Sequence, residues 1–174
     1  TLINLKGMLC DMLKSLKSAS LIGIDAQEVL VEVDAWKGLP KVHVVGLPDS
    51  VIKESKNRIK SAIKNSAYEY KNKVYTISLA PAELQKEGAF FDVPIALGML
   101  AINNQILIDN EALYIGELSL NGDVRPVRGV VCICHMAKRR GIKRVVVPYD
   151  NYEEALLIEG LDIRPLKHLS EIEQ

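Results

Sequence analysis

Apolar and polar positions alternate along residues 20–36, where Leu21, Gly23, Val29, Val31 and Val33 are set against Gln27, Glu28 and Glu32. A period of two sends successive side chains to opposite faces, so this stretch predicts a half-buried hairpin or a pair of strands. Lys41-Val42-His43-Val44-Val45 predicts a third short strand, closed by Gly46-Leu47-Pro48. The period then changes. Val51, Ile52, Ile59, Ala62 and Ile63 recur at helical spacing, with Asp49 or Ser50 placed to cap the helix by accepting a free backbone N–H. Residues 74–79 predict another strand. Asp92 is expected to cap a helix with Pro94 in its first turn, where a missing N–H costs little. The body of that helix, residues 95–101, is apolar nearly all round and so predicts burial. Residues 114–120 and 123–127 flank Asn121-Gly122, the strongest short hairpin signal in the chain. Residues 129–140 predict a helix ended by Gly141 and by basic residues that suit its C-terminal dipole. Strands at 145–148 and 162–166, with a short helix at 151–159 between them, complete an α/β (α+β) pattern. There is no repeat, low-complexity segment or linker, and the pattern predicts one domain.

Composition narrows the picture. At 174 residues, 48% hydrophobic and 25% charged, the chain has the material for a core and does not read as disordered. Lysine plus arginine and aspartate plus glutamate both number 22, so no net field attracts nucleic acid or an anionic membrane, and any such contact needs a local patch. Cys10, Cys132 and Cys134 are an odd set, which argues against a disulfide framework and fits a reducing cytosol. No apolar run reaches the ~18 residues of a membrane span and no basic-then-apolar leader opens the chain, so a soluble, cytoplasmic protein with no membrane partner is expected. The chain opens on Thr1 rather than Met, and residues 1–11 are expected to be an extension or part of a longer parent.

The search for chemistry returns mostly exclusions. A phosphate-cradling loop reads Gly-x-x-x-x-Gly-Lys-Ser/Thr, and the sequence contains no Gly-Lys dipeptide. Cys132-Ile133-Cys134-His135 looks like a metal fragment, yet it falls on a predicted helix, where residues two apart diverge. A structural zinc also wants four ligands, and His43 and His168 stand alone, so small thiols beside a partly exposed histidine are the simpler reading. No serine sits in a Gly-x-Ser-x-Gly elbow. The basic helix is the most informative feature. Between Lys53 and Lys73 lie seven positive side chains and only two negative ones, Glu54 and Glu69. Lys53, Lys56, Lys60 and Lys64 share one side of the helix, away from its apolar face, and are the candidate nucleic-acid contacts. A solvated helix face is the plainer alternative. Tyr68 and Tyr70 follow closely, placed either to stack on bases or to pack locally.

Four segments together resemble the N-terminal domain of ComM/YifB-type proteins, a Mg-chelatase-like family. They are Ser-Ala-Ser-Leu-Ile-Gly-Ile-Asp-Ala at 18–26; Gly-Leu-Pro at 38–40 running through Val-Gly-Leu-Pro-Asp at 45–49 to Val-Ile-Lys-Glu-Ser at 51–55; Leu-Ala-Pro-Ala-Glu-Leu at 79–84, with Lys-Glu-Gly at 86–88 and Phe-Asp-Val-Pro-Ile-Ala at 91–96; and Gly-Glu-Leu-Ser-Leu-Asn-Gly at 116–122, followed by Arg-Pro-Val-Arg-Gly at 125–129. Each is weak alone, but their order and spacing fit across residues ~12–172. Members of such a family open with Met-Leu shortly before the first segment, so the resemblance implies Met8 or Met12 as the native start. The resemblance implies a ribosomal protein S5 domain 2-like fold, similar to the proteolytic domain of Lon protease. It implies a single Lon-like domain at residues 12–174 followed by an AAA+ ATPase module in the parent, which would hold ATP and Mg. It further implies a parent that assembles as a homo-oligomer, a hexamer, and acts on DNA in branch migration, natural transformation or recombination. No cofactor or metal is expected in this chain itself.

Lon peptidases use a serine–lysine dyad. By this resemblance their Lys-Asp-Gly-Pro-Ser-Ala-Gly stretch falls on residues 86–92, with Phe90 at the serine position, and their Gly-Gly-Leu-Lys falls on residues 128–131, with Val131 at the lysine position. Such a nucleophile needs both a hydroxyl and a base of lowered pKa. Neither residue supplies one, and neither do Ala89, Phe91, Val130 or Cys132 beside them. The chain is therefore expected not to be an enzyme. Asp92, Glu117, Arg125 and Arg128 are expected to organise the turns around the former dyad region. Three readings stand: a non-catalytic ring or DNA-contact domain of an AAA+ motor, a stand-alone interaction module, and a degenerate peptidase.

Overall fold

The structure, a computed structural model, describes residues 13–47, 49–84, 86 and 90–172. The extension, Cys10, the start methionines, Ala89 and the capping side chains of Asp49 and Ser50 lie outside the described residues.

Seven strands form one mixed, mainly parallel sheet in the order β3-β4-β2-β1-β5-β8-β9. The long hairpin of β1 (Leu13–Ile22) and β2 (Asp25–Trp36) is its centre. β3 (Lys41–Val45) runs parallel to β4 (Val74–Ala80), which is itself antiparallel to β2. On the other side β5 (Leu113–Tyr114), β8 (Arg144–Pro148) and β9 (Asp162–Leu166) follow in parallel. Parallel neighbours need a crossover, and helices supply it: α1 (Asp49–Asn65) joins β3 to β4, α3 (Val130–Arg139) precedes β8, and α4 (Tyr152–Ala155) joins β8 to β9. α2 (Asp92–Ile102) lies between β4 and β5 in sequence.

The period-two pattern puts Val29, Val31 and Val33 on the face that α1 and α2 cover, with Ile77 and Leu79 of β4 beside them. All eleven residues of α2 are buried, as its uniformly apolar sequence predicts. Gly98 makes that depth possible: a Cβ there would lie 2.5 Å from Cγ2 of Val33 and 3.2 Å from Cδ1 of Leu16. A second, smaller core fills the opposite face, where α3 contributes Ile133, Cys134 and Ala137 against Leu113 and Val145.

Three expectations need correction. The first strand begins at Leu13, not near residue 20, and the turn of the hairpin falls at Gly23 and Ile24. The strand expected at 114–120 is two, β5 and then β6 (Glu117–Leu118), which pairs with β7 (Val124–Arg125) in a separate ribbon. The break sits where Gly116 turns its backbone to the start of α2, donating to the Phe90 carbonyl at 3.1 Å and accepting from the Val93 N–H at 3.1 Å. The helix expected at 151–159 is short: a 3-10 turn at Tyr149–Asn151 leads into α4, and only turns follow it.

Candidate functional site

Two charged regions flank α1, and the helix itself separates them. Ser55, Ile59, Ala62 and Ile63 point into the core. At 100° per residue this places Glu54 and Arg58 on one flank and Lys56, Lys60, Lys53 and Lys64 on the other.

The Arg58 flank is closed. Arg58 Nε donates to Asp92 Oδ2 at 2.8 Å, its Nη2 lies 3.4 Å from Oδ1, and the same Nη2 donates to the Ser55 hydroxyl at 3.1 Å. The Leu118 N–H also donates to Asp92 Oδ2 at 3.2 Å. The Asp92 side chain is 1% exposed. Burial pushes its carboxyl above the usual range, and Arg58 pulls it part of the way back. The guanidinium is held above its ordinary value chiefly by the hydrogen bond to Asp92. Asp92 therefore does not cap its own helix: Phe91 occupies the cap position without a side-chain bond, and the carboxylate ties α1 to the β6–β7 ribbon. Arg125 reaches Glu117 at 3.4 Å across that ribbon, as a turn-organising pair should, whereas Arg128 is simply exposed.

Lys86 is the residue that sequence reasoning passed over. It is 4% exposed, and its Nζ donates to the carbonyls of Pro81 at 2.6 Å and Leu84 at 3.0 Å. Burial lowers its pKa. The ammonium thus closes the loop after β4 rather than facing a substrate. Only its place in a quoted motif marked it, because a buried lysine has no sequence signature of its own.

At the two positions that the Lon resemblance assigned to a dyad, Phe90 and Val131, the side chains are apolar. Phe90 is half-buried and packs against the second core, and Val131 is half-buried on the first turn of α3. Gly129 starts α3 at φ +71°, and a Cβ there would meet Cδ1 of Leu21 at 2.7 Å, so the turn is pressed onto β1. Cys134 is buried, and burial pushes its thiol up to about 12. His135 is exposed and Cys132 half-buried. No group of three or more metal-ligating side chains gathers among the described residues. His168 is spent locally, its Nδ1 accepting from the Ser170 N–H at 3.2 Å and its Nε2 lying 2.9 Å from the Asn121 carbonyl.

The lysine flank is open. Lys53, Lys60 and Lys64 are exposed and Lys56 is half-buried; Lys56 faces β3 and Lys60 faces Tyr70 in the segment before β4. Lys56 lines a narrow apolar cleft of about 10 Å³, room for roughly one water, between β3 and α1, with Val42, Val44, Leu47, Ile59 and Tyr70. Lys60 Nζ stands 5.4 Å from the centre of the Tyr70 ring, whose centre is 6.3 Å from that of Tyr75. Tyr70 accordingly packs locally and is not presented for base stacking. No helix among the described residues is long and apolar enough to cross a membrane.

Comparison with known proteins places these features. The family model described as "Subunit ChlI of Mg-chelatase" matches residues 31–151. The chain is 40% identical over 153 residues to YifB of Escherichia coli, covering 87% of this chain and 30% of that protein. It is 36% identical over 143 residues to the competence protein ComM of Haemophilus influenzae, covering 81% and 28% respectively. It is 29% identical over 159 residues to Lon protease 2 of Bacillus subtilis, covering 83% and 29%. The chain thus spans about three-tenths of the length of these curated relatives.

Proposed function

This chain belongs to the ComM/YifB-type Mg-chelatase-like family, and from that premise we propose that it is a non-catalytic, Lon-like contact domain standing ahead of an ATPase module in a DNA-acting motor. The observation that carries the reading is the pair Phe90 and Val131. By the resemblance to Lon these stand where a peptidase holds its hydroxyl and its base; both are apolar and half-buried, and Phe90 packs against the second core. The charged groups nearby are already committed. Asp92 is paired with Arg58, and Lys86 is bonded to two backbone carbonyls, so neither is poised for proton transfer to a substrate. Similarity to Lon protease 2 over most of the chain supports the Lon-like, ribosomal protein S5 domain 2-like fold. Similarity to ComM, a competence protein, is in keeping with a parent that serves competence. ATP and Mg belong to the ATPase part of that parent, and hexameric assembly is a property of the whole motor.

Two measurements test this. Fluorescent casein incubated with the chain should be cleaved no faster than in buffer, and turnover would overturn the non-catalytic assignment. The parent reading frame should carry Gly-x-x-x-x-Gly-Lys-Ser/Thr after the codon for Gln174, since that loop is what cradles nucleotide phosphates. A stop codon there would remove the motor and leave a free-standing interaction module.

A further inference from the structure

The two faces of the sheet are not covered alike. On one, α1 and α2 lie over the inward residues of β3, β4, β2 and β1. On the other, α3 packs toward the turn of the β1–β2 hairpin, against Ala19, Leu21 and Ala26, and the rest of the β3-β4-β2-β1 half is open. Strand alternation and register say which side chains line the open part. Lys41, His43 and Val45 of β3 stand level with Val74, Thr76 and Ser78 of β4, and these with Trp36, Asp34 and Glu32 of β2. Leu30 lies level with Ala80 and Lys17, and Leu13 with Asp34. Among the described residues, none of these belongs to either core. Leu13 is 52% exposed, Trp36 42% and Val45 54%. Large apolar side chains gathered among polar ones on one open face mark a surface that meets a partner.

The arrangement of charge on this face says which partner. The acceptors, Asp34 and Glu32, stand on β2 and the donors, Lys41 and His43, on β3, with β4 between them. Half a turn about an axis along β4 exchanges the two flanks. It lays β3 of each copy over β2 of the other, so that His43 meets Asp34 and Lys41 meets Trp36, while Val74, Thr76 and Ser78 face their own mates. The strands of the two copies then run nearly aligned, as in packed sheets, whose mean directions differ by about 30°. Half a turn about an axis across the strands would instead set Asp34 against Glu32 of the other copy, two like charges. We propose that the open β3-β4-β2 face pairs with the same face of a second copy of the chain, donor strand over acceptor strand. This pairing rests on the assignment of a contact domain and names its partner. A cyclic hexamer closes through two different patches on each copy, whereas this face matches itself, so the pairing is separate from ring closure.

The test is sedimentation velocity of the full 174-residue chain over a wide range of concentration, where a monomer–dimer equilibrium is expected. Trp36 is the one tryptophan of the chain, so over the same range its emission should move to the blue and its quenching by iodide should fall. Asp34→Lys sets a lysine against His43, and His43→Glu sets a glutamate against Asp34, at both ends of the two-fold contact. Each variant should weaken the dimer at least about tenfold. An equimolar mixture of the two should regain association, because the mixed dimer sets the new lysine against the new glutamate and keeps one native His43–Asp34 contact. A chain that sediments as a monomer at every concentration overturns the proposal. So does a dimer that both variants leave intact, or a pair of folded, weakened variants that the mixture fails to restore. Should either variant misfold, the wild type decides: iodide quenching of Trp36 that stays constant as the dimer forms places the contact elsewhere and overturns the proposal. None of these results bears on casein cleavage, so failure here is distinguishable from failure of the non-catalytic reading.

Discussion

The two flanks of α1 carry charges one or two residues apart and use them in opposite ways. Arg58 turns toward Asp92 and spends its guanidinium on a 1% exposed carboxylate, a serine hydroxyl and, more distantly, Glu54 at 3.8 Å. Lys53 and Lys64 are exposed, Lys60 rests its ammonium over the Tyr70 ring, and Lys56 lays its stem along an apolar cleft. The guanidinium's planar fork suits a two-point contact with one carboxylate, while a lysine is a point charge on a flexible stem. Residue choice thus divides one helix into a side that holds the fold and a side that is left open.

The contrast should be sharpest in stability. Arg58→Met leaves Asp92 buried and unpaired, and is expected to cost about 3 kcal/mol, read as a lower urea midpoint at unchanged slope. A loss under about 0.5 kcal/mol would mean that water reaches Asp92 and that the flank is not closed. Lys86→Met should cost less, about 1–2 kcal/mol near pH 7, because two carbonyls lose their donor while a desolvated ammonium is removed. Its pH dependence has a definite sign. Burial lowers the Lys86 pKa below 10.5 in the folded state, so between the folded value and 10.5 the unfolded chain binds more protons. Wild-type stability relative to Lys86→Met should therefore rise with pH through that window; a flat difference would place the ammonium in water. Smallest is the lysine flank. Each of Lys53→Gln, Lys56→Gln, Lys60→Gln and Lys64→Gln should leave the urea midpoint within about 0.5 kcal/mol of wild type. A larger loss would make these lysines part of the fold after all.

How much of this was legible beforehand depends on whether a feature is periodic. The valines of β2, the apolar run of α2 and the Gly141 stop of α3 follow from local pattern, and the structure has them where the pattern places them. The early half of β1 escaped because its inward positions include serines. Ser18 is fully buried yet donates to the Tyr114 carbonyl at 2.8 Å, so burial there is satisfied by a hydrogen bond and leaves no hydrophobic signal. The break between β5 and β6 escaped because Gly116 serves backbone groups 23 and 26 residues away. Asp92 looked like a cap from its neighbours alone, but its partner Arg58 lies 34 residues back. The lysine stripe was visible from spacing. That Lys56 lies beside β3, the last of the described strands in the sheet order, was not, since strand order is a tertiary property.

The claim at the centre is the proposal that Phe90 and Val131, two apolar side chains, stand where Lon holds its dyad, so that the chain forms no covalent intermediate. The most direct measurement is the intact mass of the chain after prolonged exposure to a fluorophosphonate, which esterifies activated serine hydroxyls. Phe90 and Val131 predict an unchanged mass, alongside full labelling of an active serine hydrolase as control. A single stoichiometric adduct, lost on denaturing the chain before exposure, would reveal an activated hydroxyl and contradict the assignment.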